Sequence, residues 1–109
     1  MTMPAYLLQR VTALIMAPMV LVHLVTIIVA VQGGLSADDI LARTQGSVLW
    51  GGFYGLFVIA ASIHAGIGLQ VVAREWLQLG PRSAAMLGHV FMAATLLLGL
   101  RAVYAVVAT

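Results

Sequence analysis

The sequence predicts an all-α integral membrane protein: three transmembrane helices with a short surface helix between the first two. Three observations carry this. The chain of 109 residues is 63% hydrophobic and only 7% charged, with a mean hydropathy of +1.13. It therefore lacks the charged shell that a water-soluble domain of this size needs. Its apolar residues fall in three long runs, Val11 to Val31, Val48 to Val72 and Ala84 to Ala108. Each run has the roughly 20 residues that a helix needs to cross about 30 Å of hydrocarbon. Finally, the runs do not alternate as barrel strands do, and a helix is the other way to satisfy every backbone group in lipid.

The first span is expected at about 8–32, ended by Gln32-Gly33-Gly34. Pro18 inside it should bend the helix modestly, because neighbouring helices re-satisfy the freed carbonyl. Ser36 is placed to cap a short surface helix, Ala37 to Thr44, with Asp38 and Asp39 in its first turn, where carboxylates suit the helix dipole. Gly46-Ser47 leads into a second span at about 47–73. Gly80-Pro81 breaks the chain, and Ser83 is the expected cap of a third span at about 83–108. No long polar segment is left for a second domain, so 1–109 reads as a single membrane-anchor domain. The first run is too long for the apolar core of a cleavable signal, and two similar runs follow it. Small residues recur at four-residue spacing on the second span (Gly51 and Gly55, Ala61 and Ala65), which permits close helix approach.

The few charges set orientation and exclude some functions. Five arginines stand against three acids, with no cysteine. A pI near 9.7 resting on so few groups, without a basic stripe interleaved with aromatics, does not describe a nucleic-acid binder. Without cysteine, the chain alone holds no disulfide, thiolate metal site or iron–sulfur cluster. Arg10 precedes the first span, and Arg74 and Arg82 lie between the second and third, whereas Arg43 is opposed by Asp38 and Asp39. The positive-inside rule then puts the N-terminus and the second loop on the cytoplasmic or matrix side, and the C-terminus opposite. Arg101, near a helix end, can snorkel outward. The expected location is a bacterial inner membrane, with the mitochondrial inner membrane as the alternative.

Three ionisable side chains fall inside the spans: His23, His64 and His89. Polar groups at that depth are costly and mark function, unless each is a neutral histidine donating one hydrogen bond to a neighbouring helix. His64 has Ala60, Ala61, Gly66 and Gly68 close by, leaving room for something flat beside an imidazole, as haem needs. His89 is flanked by Ala85 and Ala93, and His23 by the bulkier Met19, Val20 and Ile27. At about 1.5 Å per residue, His64 and His89 share the cytoplasmic half, and His23 lies beyond the midplane. His23 and His64 are therefore not the two ligands of one haem. Near the cytoplasmic face, Gln9, Arg10 and Thr12 face the Arg74, Glu75 and Trp76 end of the second span. Arginine there suits a haem propionate, and Trp beside Glu suits a quinone mouth. An interfacial Trp anchor with flanking charges accounts for the same residues.

These residues have a familiar arrangement. Gln9-Arg10-Val11-Thr12-Ala13 resembles the Gln-Arg-x-Thr-Ala opening of the small membrane anchor of succinate dehydrogenase. His64-Ala65-Gly66-Ile67-Gly68-Leu69-Gln70-Val71-Val72, closing on Arg74-Glu75-Trp76, resembles that family's helix-two motif, with its His-Ala pair, Gly-Leu pair and terminal acidic–aromatic pair. Chain length and helix count agree, so the resemblance spans nearly the whole chain. It implies an anchor subunit of complex II or the related fumarate reductase, passing electrons between iron–sulfur and flavoprotein subunits and a membrane quinone. It also implies haem b, with His64 an axial iron ligand and Arg10 near the propionates. Glu75, Trp76 and Gln9 become the quinone-site candidates. The family's usual Asp-Tyr pair is replaced here by Glu75-Trp76, and an indole N–H donates but neither accepts nor ionises as a phenol does. His23 has no counterpart in single-haem small anchors. It mimics the first-helix ligand of two-haem fumarate reductase anchors, as His64 mimics the second-helix one.

Two other classes fit parts of the pattern. A haem-free structural anchor needs small-residue packing and an arginine-rich docking face, and both are present. A small transporter or channel subunit fits less well, because no Asp, Glu or Lys lies within a span. His64 and His89 could share a haem, or either could pair with a histidine from another subunit, and a second membrane subunit or a second copy of this chain is expected because a haem needs ligands from more than one helix. Topology gives the first test. A C-terminal alkaline phosphatase fusion in bacteria is expected to be active and a C-terminal fluorescent-protein fusion dark; a bright fluorescent fusion refutes the orientation.

Overall fold

The structure, a computed structural model, describes residues 1–108. Four helices follow in order: α1 (Met3–Gln32), α2 (Ala37–Thr44), α3 (Val48–Glu75) and α4 (Pro81–Val107), with no strand among the described residues. α1, α3 and α4 are each long and apolar enough to cross a bilayer. Their large apolar side chains are mostly exposed, and few residues beyond small ones are fully buried. That inversion is expected where lipid is the solvent.

Local chemistry sets the helix ends. α1 starts earlier than expected, at Met3, because the Thr2 hydroxyl accepts from the Ala5 N–H (3.3 Å) and Pro4 sits in the first turn. It runs unbroken through Pro18 and ends at Gly33, whose N–H donates to the Val29 carbonyl. Ser36 caps α2 by accepting from the Asp39 N–H, and Ser47 caps α3 by accepting from the Trp50 N–H (3.1 Å). Ser83 does not cap α4. That helix begins at Pro81 after Gly80, with no side-chain cap. Proline at the first position has its φ preset for helix and no N–H that needs a partner.

α3 is the central element. α4 packs along most of its length and α1 along part of it, while α1 and α4 hardly meet. The α3–α4 crossing is made by glycines. A Cβ on Gly88 would lie 2.6 Å from the Gly66 carbonyl oxygen and would overlap the Gln70 side chain, and one on Gly66 would lie 2.9 Å from Met92 Cβ. Farther along, Gly99 accommodates Val58, and Gly51 meets Val107. Dispersion contacts at such close approach are the main attraction between helices in lipid.

α2 folds back on the far end of the bundle. The last carbonyls of a helix have no partner within it, and here α2 supplies two. The buried Thr44 hydroxyl donates to the Val106 carbonyl (2.7 Å), and the Gly46 N–H donates to the Val107 carbonyl (2.8 Å). Gly46 takes a left-handed φ of 72° to do so, a conformation open to glycine at little cost. Arg43 lies over the Trp50 ring (4.2 Å to the centroid) and donates to the Tyr54 hydroxyl (3.1 Å).

The crossing gives a test of the packing. Gly88→Leu forces α4 off α3 and should destabilise by at least the order of 1–3 kcal/mol typical of overpacking. Gly55→Ala, where an added Cβ meets nothing within 4 Å, should be neutral. Thermal melting of the detergent-purified protein is expected to fall by several degrees for the first and not for the second; equal melting temperatures refute the crossing.

Candidate functional site

The residues singled out from the sequence separate into three places. The first lies between α1 and α3. Thr12, buried on α1, brings its hydroxyl 3.1 Å from His64 Nδ1 on α3. The same hydroxyl is 2.7 Å from the Leu8 carbonyl and 3.1 Å from the Gln9 carbonyl. A hydroxyl has one hydrogen, and here it is directed to the carbonyls one turn back, which can only accept. With its hydrogen on those carbonyls the oxygen is left to accept from His64, the arrangement in which Nδ1 carries the imidazole proton and Nε2 keeps a free lone pair.

Gln9 reaches the same interface. Its Nε2 lies where a Cβ on Gly68 would come within 3.4 Å, and its Oε1 is buried without a hydrogen-bond partner. The small residues near His64 thus have separate tasks. Gly66 receives α4, and Gly68 leaves space for the Gln9 amide. Arg10, one position on, is exposed, with its guanidinium over the Tyr6 ring at 5.9 Å.

The second place is a cleft of about 890 Å³ at the end of the bundle carrying the N-termini of α1 and α4. It opens where α1 and α4 diverge over α3. Leu8, Ile63, Ile67 and Val71 give it apolar walls, and Gln70, Arg74, Glu75 and His89 give it polar groups. Of the quinone-site candidates, Glu75 lines this cleft. Gln9 sits with His64, and Trp76, 79% exposed at the end of α3, stands outside both.

The third place is at the far end. His23 lies edge-on between Tyr54 (5.8 Å between ring centroids) and Phe57 (5.3 Å), with Nδ1 buried and unpartnered. It borders a cavity of about 460 Å³ shared with Arg43, Thr44 and Gly99. Eleven residues of α1 separate Thr12, at the His64 level, from His23, roughly 16 Å at 1.5 Å per residue. His23 and His64 do not converge on one point. No group of three His, Asp or Glu side chains suited to a metal ion occurs among the described residues.

The pairing of Thr12 with His64 was not read from the sequence, although both residues lie in the quoted motifs. The signal available was a threonine one turn from Gln9 on α1, a polar pair in an apolar span. Gln70 was also missed as a cleft residue, because periodicity alone gives no reason to prefer one side of α3.

A family model described as succinate dehydrogenase/fumarate reductase transmembrane subunit matches residues 1–102. No curated protein and no solved structure gives a match. The matched stretch contains α1, α2 and α3 whole and most of α4, and with them all three histidines. The chain therefore belongs to the succinate dehydrogenase/fumarate reductase transmembrane subunit family.

Proposed function

We propose that this chain carries haem b through His64 and forms part of the quinone site of a succinate:quinone oxidoreductase. The observation that supports the haem reading most directly is the hydrogen bond between Thr12 and His64. Metal-binding histidines characteristically donate their second ring N–H to a fixed acceptor, which sets the tautomer and raises the basicity of the free nitrogen. Thr12 would perform that task, and His64 would hold the haem iron through Nε2. Haem, when bound, supplies a one-electron carrier between the soluble iron–sulfur chemistry and the membrane. A neighbouring group suits it, since the exposed Arg10 guanidinium can pair with a propionate.

A further ligand to the iron would be supplied by another chain. His23 lies far along α1, and His89 opens on the separate cleft. A second membrane subunit or a second copy of this chain is the proposed source. Iron–sulfur and flavoprotein subunits are proposed to dock at the end bearing Arg74 and Arg82, on the cytoplasmic or matrix side. The quinone is proposed to enter the cleft past Arg74 and Glu75, with Trp76 as an interfacial anchor at its mouth. His23, whose ring borders the far cavity, is proposed as ligand to a second haem there.

Spectra of the purified complex test this. His64→Ala removes the nitrogen, and haem content should fall or the reduced spectrum change to that of a five-coordinate species. Thr12→Val keeps shape but removes the acceptor, and should weaken haem retention on the order of 10- to 100-fold. Thr12→Ser should behave as wild type. His23→Ala should alter the spectrum only where the far cavity holds a second haem. Unchanged haem content and spectrum in His64→Ala would sink the proposal.

A further inference from the structure

We propose that His89 donates and accepts the proton at the inner carbonyl oxygen of a quinone bound in the α1–α4 cleft. This rests on the reading of that cleft as the quinone site. His89 is the deepest polar group lining the cleft from α4, eight residues and about 12 Å from the start of that helix at Pro81. It is exposed on a membrane-spanning helix. An ionisable side chain at such a depth is costly unless it faces a polar or water-accessible space. The cleft is the space it lines.

The rest of the lining has a matching polarity. Arg74 and Glu75, at the last turn of α3, make an ionic mouth. Leu8, Ile63, Ile67 and Val71 form apolar walls, and Gln70 stands beside Gly88, next to His89 in the chain. A quinone head has this pattern: a flat apolar ring with an oxygen at each of two opposite ends. One oxygen near the mouth is reached by water, and the other, deeper, is not. Reduction of that inner oxygen inside an apolar wall needs a proton carrier at that depth, and an imidazole has one nitrogen to donate and one to accept.

The balance is that of quinone reduction. Quinone takes up two electrons from the iron–sulfur partner and two protons, and each carbonyl becomes a hydroxyl. At the inner oxygen, the N–H bond of the His89 imidazolium breaks, its electron pair stays on nitrogen, and an O–H bond forms. At the outer oxygen the proton comes from water at the mouth. Once the quinol has left, His89 recovers a proton from water that enters the emptied cleft past Glu75. Quinol oxidation runs the same transfers backwards.

The test uses the complete complex purified with its own partner subunits. Succinate-dependent quinone reduction is compared with succinate oxidation by a water-soluble dye that takes electrons from the soluble subunits. His89→Gln keeps a hydrogen-bonding side chain of similar length but carries no proton. It should lower kcat for quinone reduction on the order of 100-fold, the contribution usual for a positioned acid–base group. KM for quinone should stay within about twofold, the dye rate should be unchanged, and the pH dependence of kcat between about pH 5 and 8 should flatten. Val71→Trp, which narrows the cleft between mouth and His89, should raise KM for quinone. A wild-type kcat and pH profile in His89→Gln, with a raised KM in Val71→Trp, would overturn the role of His89 and leave the cleft as the quinone site. No kinetic effect of Val71→Trp would overturn both. Parallel loss of the dye rate in His89→Gln would make His89 an assembly residue and also overturn the proposal.

Discussion

Because Gly88 has no side chain, α4 approaches α3 until its backbone lies beside the Gly66 carbonyl, and most of the architecture depends on that approach. With α4 seated on one side of α3, α1 is left to pack on another part of it, and the two outer helices diverge. The divergence opens the cleft lined by Arg74, Glu75 and His89. A bulkier residue at the crossing would change the angle between the helices and with it the width of that cleft. Packing and site are therefore set by the same two glycines.

A second constraint comes from lipid. Each polar group in a span has to find its partner inside the protein. Thr12 satisfies its own hydroxyl on the preceding turn and then serves His64. Thr44 and Gly46 serve the terminal carbonyls of α4. Gln9 Oε1 and His23 Nδ1 are the exceptions, buried without partners. An exception of this kind in a native protein calls for a partner from outside the chain, and each of these lies beside a place where another molecule is proposed to bind.

The helices were legible because length and hydropathy determine what crosses a bilayer. Boundaries were less so at Thr2 and Gly80, where capping depended on a residue outside the apolar run. Ser36 was read correctly because it directly precedes its helix, whereas Ser47, counted inside the second span, is the cap just outside it. Within the spans, periodicity carried little information. An all-round apolar helix does not reveal which face meets protein, so Gly51 and Gly55 looked alike, although only Gly51 meets a neighbour. His64 was legible through its motif and its small neighbours. The role of Thr12 was not, since it is a relation between residues 52 positions apart. The assignment of Glu75, but not Trp76, to the cleft likewise depends on how α3 ends.

The hold of α2 on α4 also bears on how the chain is made. α2 emerges from the ribosome before α3 and α4, yet its seat is the last turn of α4. Until that turn has crossed the bilayer, the segment from Ser36 to Gly46 has nothing to dock on and rests at the interface, with Asp38 and Asp39 toward water and Ile40 toward lipid. Closure of this loop joins the segment after α1 to the last turn of α4, so it cannot precede the folding of that turn.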